Sequence, residues 1–165
     1  RTKDAVAVWD ALVAAIIPLD GLICGLGARD TLRTEMGYPL HGHELSLAIS
    51  PVEASASWAV GWKKESFIGS DVLLSQKSGA IERKSVAIKS LDRGIPRAGM
   101  SVKNSHGEVV GEVTSGTFSP TLKHGIALAL LSKDVAVGDE LIVDVRGRDS
   151  LCEVVKLPFV TSHVR

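Results

Sequence analysis

From Gly79 onward the sequence breaks into six short β-type runs separated by turn residues, and no other feature restricts the fold as tightly. The runs are Val86-Ala87-Ile88, Met100–Lys103, Glu108–Thr114, Ile126–Leu131, Glu140–Val145 and Leu151–Lys156. Asn104-Ser105-His106-Gly107 reads as a hairpin-like break, and Val137-Gly138-Asp139 and Gly147-Arg148-Asp149-Ser150 interrupt the pattern in the same way. Short strands at this regular spacing predict a small antiparallel barrel or a jelly-roll-like sandwich. In Glu140–Val145 the face carrying Leu141, Val143 and Val145 is apolar while Asp144 and Arg146 point the other way, so one sheet face must be buried.

Ahead of Gly79 the periodicity is helical. From Asp4 to Ile17 the residues Trp9, Leu12, Val13, Ile16 and Ile17 recur on one helical face, and Pro18 stops the helix. Such a stripe has to be buried against a partner or left exposed. Leu19–Gly27 is an apolar, glycine-containing connection, and Ala28–Met36 reads as a helix capped by Gly37. Gly37–Ser50 is irregular, and Pro51-Val52-Glu53 opens a turn. Ala54–Trp62 places Trp58 and Trp62 four apart, which fits a short helix without excluding a strand. Ser70–Ser78, with Asp71 near its start, is a third helix. Helices followed by a run of strands define an α+β chain, with no repeat of 20 to 50 residues.

The chain has 165 residues, with 19 basic and 19 acidic side chains. No Lys/Arg stripe interleaved with aromatics is present, so a nucleic-acid partner is not expected. The pairs Lys63-Lys64 and Arg83-Lys84 read as solvated surface. The apolar run from Ala11 to Ile17 is bounded by Asp10 and Pro18 and is too short to cross a bilayer, so no membrane role is expected. Cys24 and Cys152 lack CxxC spacing and read as two buried thiols, which favours the cytoplasm.

Several groups are chemically competent. Arg29 and Arg33 stand one turn apart after Gly25-Leu26-Gly27, and together form an anion- or amide-reading surface. The glycines match neither the dinucleotide-binding nor the P-loop spacing. His41 and His43 beside Glu44 form a conceivable metal set, but no third strong ligand follows at a recognisable spacing, and a surface loop is the better reading. His106, His124 and His163 read as solvent-exposed. Ser115-Gly116 lacks the nucleophile-elbow pattern, so the hydroxyls around it are expected to cap backbone groups in a tight loop, with Phe118 and Pro120 as lids on a cavity.

Gly25–Glu35, with Gly37-Tyr38-Pro39-Leu40-His41-Gly42-His43-Glu44 and Ser50-Pro51-Val52-Glu53, resembles the signature of the aminomethyltransferase, or T-protein, family of the glycine cleavage system. Val113–Leu122, Gly125-Ile126-Ala127-Leu128-Ala129 and Lys156-Leu157-Pro158-Phe159-Val160 resemble that family's C-terminal motifs. The resemblance covers nearly the whole chain and implies the C-terminal part of such a protein. Residues 1–78 would complete a folate-binding α+β region, and residues 79–165 would form the barrel domain.

The implied reaction passes a one-carbon unit from the aminomethyl-lipoyl arm of H-protein to tetrahydrofolate, with release of ammonia and no metal. The resemblance places the catalytic carboxylate and the glutamate that binds the pterin in the portion preceding Arg1, so this chain alone is expected to be inactive. The family's Ala-Arg-Asp motif maps the folate contact onto Arg29. Arg33 is expected to be structural, paired with Asp30 or Glu53, and Trp58 to be a core residue rather than a cavity wall. The family's C-terminal tyrosine falls on Val164, a departure that removes a hydroxyl. Two other readings stay open: the folate-binding end of a dimethylglycine, sarcosine or demethylase relative, and a non-catalytic folate-binding or docking module.

Overall fold

A computed structural model describes residues 1–162; His163 and Val164, discussed above, lie outside the described residues. The chain forms two compact units, Arg1–Asp30 and Thr31 onward.

In the first unit, helix α1 spans Ala5–Ile16. Pro18 enters a 3-10 turn over Ile17–Leu19, and Asp20 takes a left-handed conformation that ends it. The stripe predicted on α1 is largely exposed, with Trp9 at 53% and Leu12 at 58% accessibility. Helix α2, Leu26–Glu35, carries the chain into the second unit. It ends as the sequence predicts. Gly37 adopts φ +72°, its N–H donates to Thr34 O at 2.9 Å, and the Tyr38 N–H reaches back to Arg33 O at 2.8 Å, a Schellman cap.

The irregular segment that follows is organised by short polar bridges. Ser50 and Glu53 form a reciprocal capping box: the Ser50 N–H donates to Glu53 Oε2 at 2.8 Å, and the Glu53 N–H donates to Ser50 Oγ at 3.2 Å. Arg83 then donates from Nε to Glu53 Oε1 at 2.7 Å, so it is an ion-paired anchor rather than free solvated surface. Ala54–Trp62 is neither helix nor strand but contains a 3-10 turn over Ser57–Ala59. A single turn cannot bury both tryptophans. Trp58 is 83% exposed, which corrects its expected core role. Trp62 instead donates its indole N–H to Ser57 O at 2.7 Å, and Lys77 of helix α3, Ser70–Lys77, sits 4.2 Å above its ring.

All six predicted strands form: β1 Arg83–Ser90, β2 Ser101–Lys103, β3 Val109–Ser119, β4 His124–Ser132, β5 Glu140–Asp144 and β6 Asp149–Val155. They pair antiparallel in the order β1-β4-β3-β2-β5-β6, and β6 closes on β1 to make a barrel. Closure satisfies every sheet edge, which an open sandwich of six short strands could not do. Alternation fills the interior with Ile88, Val102, Val113, Ala127, Leu131, Leu141, Val143, Cys152 and Val154. The apolar face predicted for β5 is therefore the barrel core. Ile126, Leu128 and Leu130 alternate with these core residues and are buried too, so β4 is covered on both faces.

The two cysteines differ: Cys152 is a core residue, whereas Cys24 is exposed, against the expectation of two buried thiols. No helix among the described residues is long and apolar enough to cross a membrane.

Candidate functional site

The polar centre of the second unit lies where the end of α2 and the segment after it meet β3. Along β3, Ser115, Thr117 and Ser119 alternate onto one face, and all three are buried. Each meets a residue from the C-terminal half of α2. Thr31 Oγ1 and Thr117 Oγ1 lie 3.4 Å apart, Arg33 Nη2 donates to Ser115 Oγ at 2.8 Å, and Ser119 Oγ donates to Glu35 Oε1. Ser119 Oγ also accepts from the Leu122 N–H at 3.0 Å, and the Glu35 carbonyl accepts from the Phe159 N–H at 2.9 Å.

Arg33 is the hub. Its guanidinium is 7% exposed and its Nη1 donates to Glu44 Oε2 at 2.8 Å, with Glu44 itself 2% exposed. Two buried charges are tolerable only when every remaining lone pair and proton is used. Here they are well used. Glu44 Oε2 also accepts from the Leu40 N–H at 3.0 Å, and Oε1 accepts from Thr114 Oγ1 at 2.6 Å. Burial pushes the Glu44 carboxyl up, but hydrogen bonds from Ser115, Thr114 and the Leu40 N–H, with the Arg33 charge, outweigh it and hold the group below the usual carboxylate value.

Beside this pair, His43 Nδ1 donates to the Thr114 carbonyl oxygen at 2.9 Å, since a carbonyl can only accept. Glu44 is thus occupied by protein donors, and His43 by a backbone carbonyl. Among the described residues no group of three or more His, Cys, Asp or Glu side chains is arranged to hold a metal.

Several expectations change at this point. Arg33 finds its buried partner in Glu44, and Glu53 is taken by Arg83. The Ser115 segment is a strand, not a tight loop: β3 runs on to Ser119, and Ser115 binds a guanidinium rather than capping backbone. Its hydroxyl touches no free base. His43 Nδ1 is 3.4 Å away and already engaged by Thr114 O. Phe118, on the opposite face of β3, is 41% exposed. His106 is exposed as expected, but His124 opens β4 with a buried Nε2; burial, then the Lys89 charge, lowers its pKa from the usual imidazole value.

Arg29, the predicted folate contact, lies on the N-terminal half of α2 in the first unit. Its side chain is exposed and has no hydrogen bond or ion pair among the described residues. Gly25 and Gly27, on either side of the α2 start, face open space. The residues that spacing alone missed are Glu44 as the buried partner of Arg33 and the hydroxyl ladder of β3. The period-two recurrence of Ser115, Thr117 and Ser119 fits the ladder, but the same residue types build turns, so the recurrence alone does not reveal it.

An apolar barrel with a helical segment clamped to β3 through hydroxyls and a buried ion pair defines an α+β protein with a C-terminal barrel domain. Residues 83–161 match the family model described as the glycine cleavage T-protein C-terminal barrel domain, and residues 1–64 match that of the GCVT N-terminal domain. The chain belongs to the glycine cleavage T-protein family.

Among similar proteins, the aminomethyltransferase of Parafrankia sp. (strain EAN1pec) is 56% identical over 165 residues, covering 100% of this chain and 45% of that protein. The aminomethyltransferase of Mycolicibacterium paratuberculosis (strain ATCC BAA-968 / K-10) is 54% identical over 165 residues, covering 99% of this chain and 45% of its own. The crystal structure of glycine cleavage system aminomethyltransferase T from Bartonella henselae aligns with a TM-score of 0.77 at 33% identity, over 82% of this chain and 39% of that one. The chain therefore spans less than half the length of the curated relatives it matches.

Proposed function

We propose that this chain is the C-terminal portion of an aminomethyltransferase of the glycine cleavage system. The whole protein would take the aminomethyl group from lipoylated H-protein, transfer its carbon to tetrahydrofolate and release ammonia. The observation that carries this reading is 56% identity along the entire chain to a protein named aminomethyltransferase.

In this reaction the lipoyl sulfur–carbon bond and the carbon–nitrogen bond of the aminomethyl group break, and the carbon forms bonds to two folate nitrogens. The two protons leaving those nitrogens go to the sulfur, giving a thiol, and to the amine, giving ammonia. Such a step depends on holding the folate nitrogens near the aminomethyl carbon and on a carboxylate that steers protons. Under this reading that carboxylate and the pterin-binding glutamate belong to the portion preceding Arg1, so the present chain alone would be inactive.

The role assigned to this chain's own residues is positioning. Arg29 offers an uncommitted, planar five-donor guanidinium, which suits the polar edge or carboxylate-bearing end of a folate. The Arg33–Glu44 pair and the hydroxyls of β3 hold the second half of the same helix in place. No metal enters the reading, and the cytoplasm is the proposed setting.

The experiment is a turnover assay of the full-length protein with tetrahydrofolate and aminomethyl-loaded H-protein. Methylene-tetrahydrofolate and ammonia appearing in equal amounts support the reading. Their absence, with the protein folded, overturns it.

A further inference from the structure

The last turn of a helix leaves carbonyls that nothing within the helix can satisfy, and at α2 one of them is closed from the far end of the chain. The Schellman cap uses the Arg33 and Thr34 carbonyls, which accept from the N–H groups of Tyr38 and Gly37. The Glu35 carbonyl falls outside that motif. It accepts at 2.9 Å from the N–H of Phe159, in the strap that follows β6.

The strap makes a second contact with the helix end. Leu157 fills the space beside the cap glycine, so that a Cβ on Gly37 would sit 2.5 Å from both Leu157 methyl carbons. Gly37 thus answers two demands, a φ of +72° and the room for Leu157. The Glu35 side chain is tied separately: it is buried, its Oε1 accepts from Ser119 Oγ, and Ser119 Oγ accepts in turn from the Leu122 N–H beyond the end of β3. Glu35 is therefore held by its carboxylate to the barrel and by its carbonyl to the strap.

Helix α2 needs such anchors. It is ten residues long, below the length at which a helix stands alone in water, and Gly27 near its start weakens it further. How firmly the last turn is held decides how fully the helix forms, and with it how every side chain along it is presented.

We propose that the strap Leu157–Phe159 is a positioning element of tetrahydrofolate recognition: by capping Glu35 it keeps α2 helical as far back as Arg29, an inference that rests on the function proposed above. Leu157 and Phe159 act through the helix and not by touching the folate. Their loss is read in folate affinity rather than in the chemical step or in docking of the carrier.

The test uses the full-length protein and a backbone variant. Phe159→Pro deletes the N–H, while Phe159→Ala keeps it and removes the same ring, so the difference between the two isolates the hydrogen bond. Calorimetric titration should give a Kd for tetrahydrofolate weaker in Phe159→Pro than in Phe159→Ala by roughly three- to tenfold, the fold-change of one net hydrogen bond. The two should share the same kcat and the same KM for loaded H-protein, and amide exchange should quicken in α2 but not in the barrel strands. Leu157→Ala loosens the strap without deleting a donor and should weaken folate binding in the same direction. If Phe159→Pro does not fold, Leu157→Ala carries the test alone, and folate affinity equal to wild type then overturns the proposal. Equal affinity in Phe159→Pro and Phe159→Ala, with α2 exchange quickened, also overturns it by making the cap structural only. A loss shared by kcat and both KM values overturns it as well, because it reports general loosening. A folded wild type with neither folate binding nor turnover overturns the functional reading and this inference with it, whereas the other outcomes leave that reading standing.

Discussion

Arg33 and Glu44 meet at 2.8 Å with almost no solvent around either, although eleven residues and two sharp turns separate them. Removing one member leaves the other as a buried, uncompensated charge. Arg33→Met is therefore expected to cost about 3–5 kcal/mol of stability, read by chemical denaturation of the full-length protein. Arg33→Lys keeps the charge but loses the second branch of the fork, and should fall between wild type and Arg33→Met. A loss under about 1 kcal/mol for Arg33→Met would show that the pair is not structurally important.

The acid response follows from the same pair. The folded Glu44 carboxyl lies below its ordinary value of 4.5, because its hydrogen bonds and the Arg33 charge outweigh the burial that pushes it up. The unfolded chain thus binds the proton more readily, so the contribution is complete above about pH 4.5 and fades as pH falls through the folded value. Glu53 and Asp92 are lowered in the same direction, each by hydrogen bonds that overcome burial, and add to this trend. Glu44→Gln should be less stable at pH 7 and show a shallower loss between pH 5 and pH 3, measured by thermal melts across that range.

Ser115 holds a guanidinium, which separates a structural hydroxyl from a nucleophile. Ser115→Ala leaves one Arg33 donor without its acceptor and should cost about 1–3 kcal/mol in stability. Turnover per folded molecule should be unchanged. A large drop in turnover with stability intact would restore the nucleophilic role that the geometry denies.

At Gly116 the constraint is steric. An added Cβ would stand 2.2 Å from the Pro96 carbonyl oxygen, which is backbone and cannot swing aside. Gly116→Ala is expected to destabilise by about 1–3 kcal/mol. Gly138→Ala is an informative comparison, because a Cβ there meets open space but the φ of +96° is unfavourable. Differential scanning calorimetry of the two variants separates clash from backbone strain.

The six strands were readable because short β-type runs and turn residues are local signals; α1 was readable from its apolar spacing and Pro18, and α2 and α3 from the residues at their ends, Gly37 and Asp71. The end of β3 was not readable, since Ser115, Gly116, Thr117 and Ser119 are the residue types that also build turns. What makes them a strand is a partner some eighty residues earlier in the chain. The same distance hid the Arg33–Glu44 pair: only the folded course of Gly37 to Glu44 returns the acid to the arginine. Trp58 misled for the opposite reason. Its size predicts burial, but the segment around it forms one 3-10 turn and leaves the indole outside.

For Arg29 the expectation is a binding effect without a stability effect, because its exposed guanidinium makes no internal bond among the described residues. The most direct measurement is calorimetric titration of tetrahydrofolate into the full-length protein, wild type against Arg29→Ala. A loss of about 1.5–3 kcal/mol in binding free energy, the value of a charge-assisted hydrogen bond, with an unchanged melting temperature, is the predicted result. Equal affinity in the two proteins, or no folate binding by the wild type, would contradict the account.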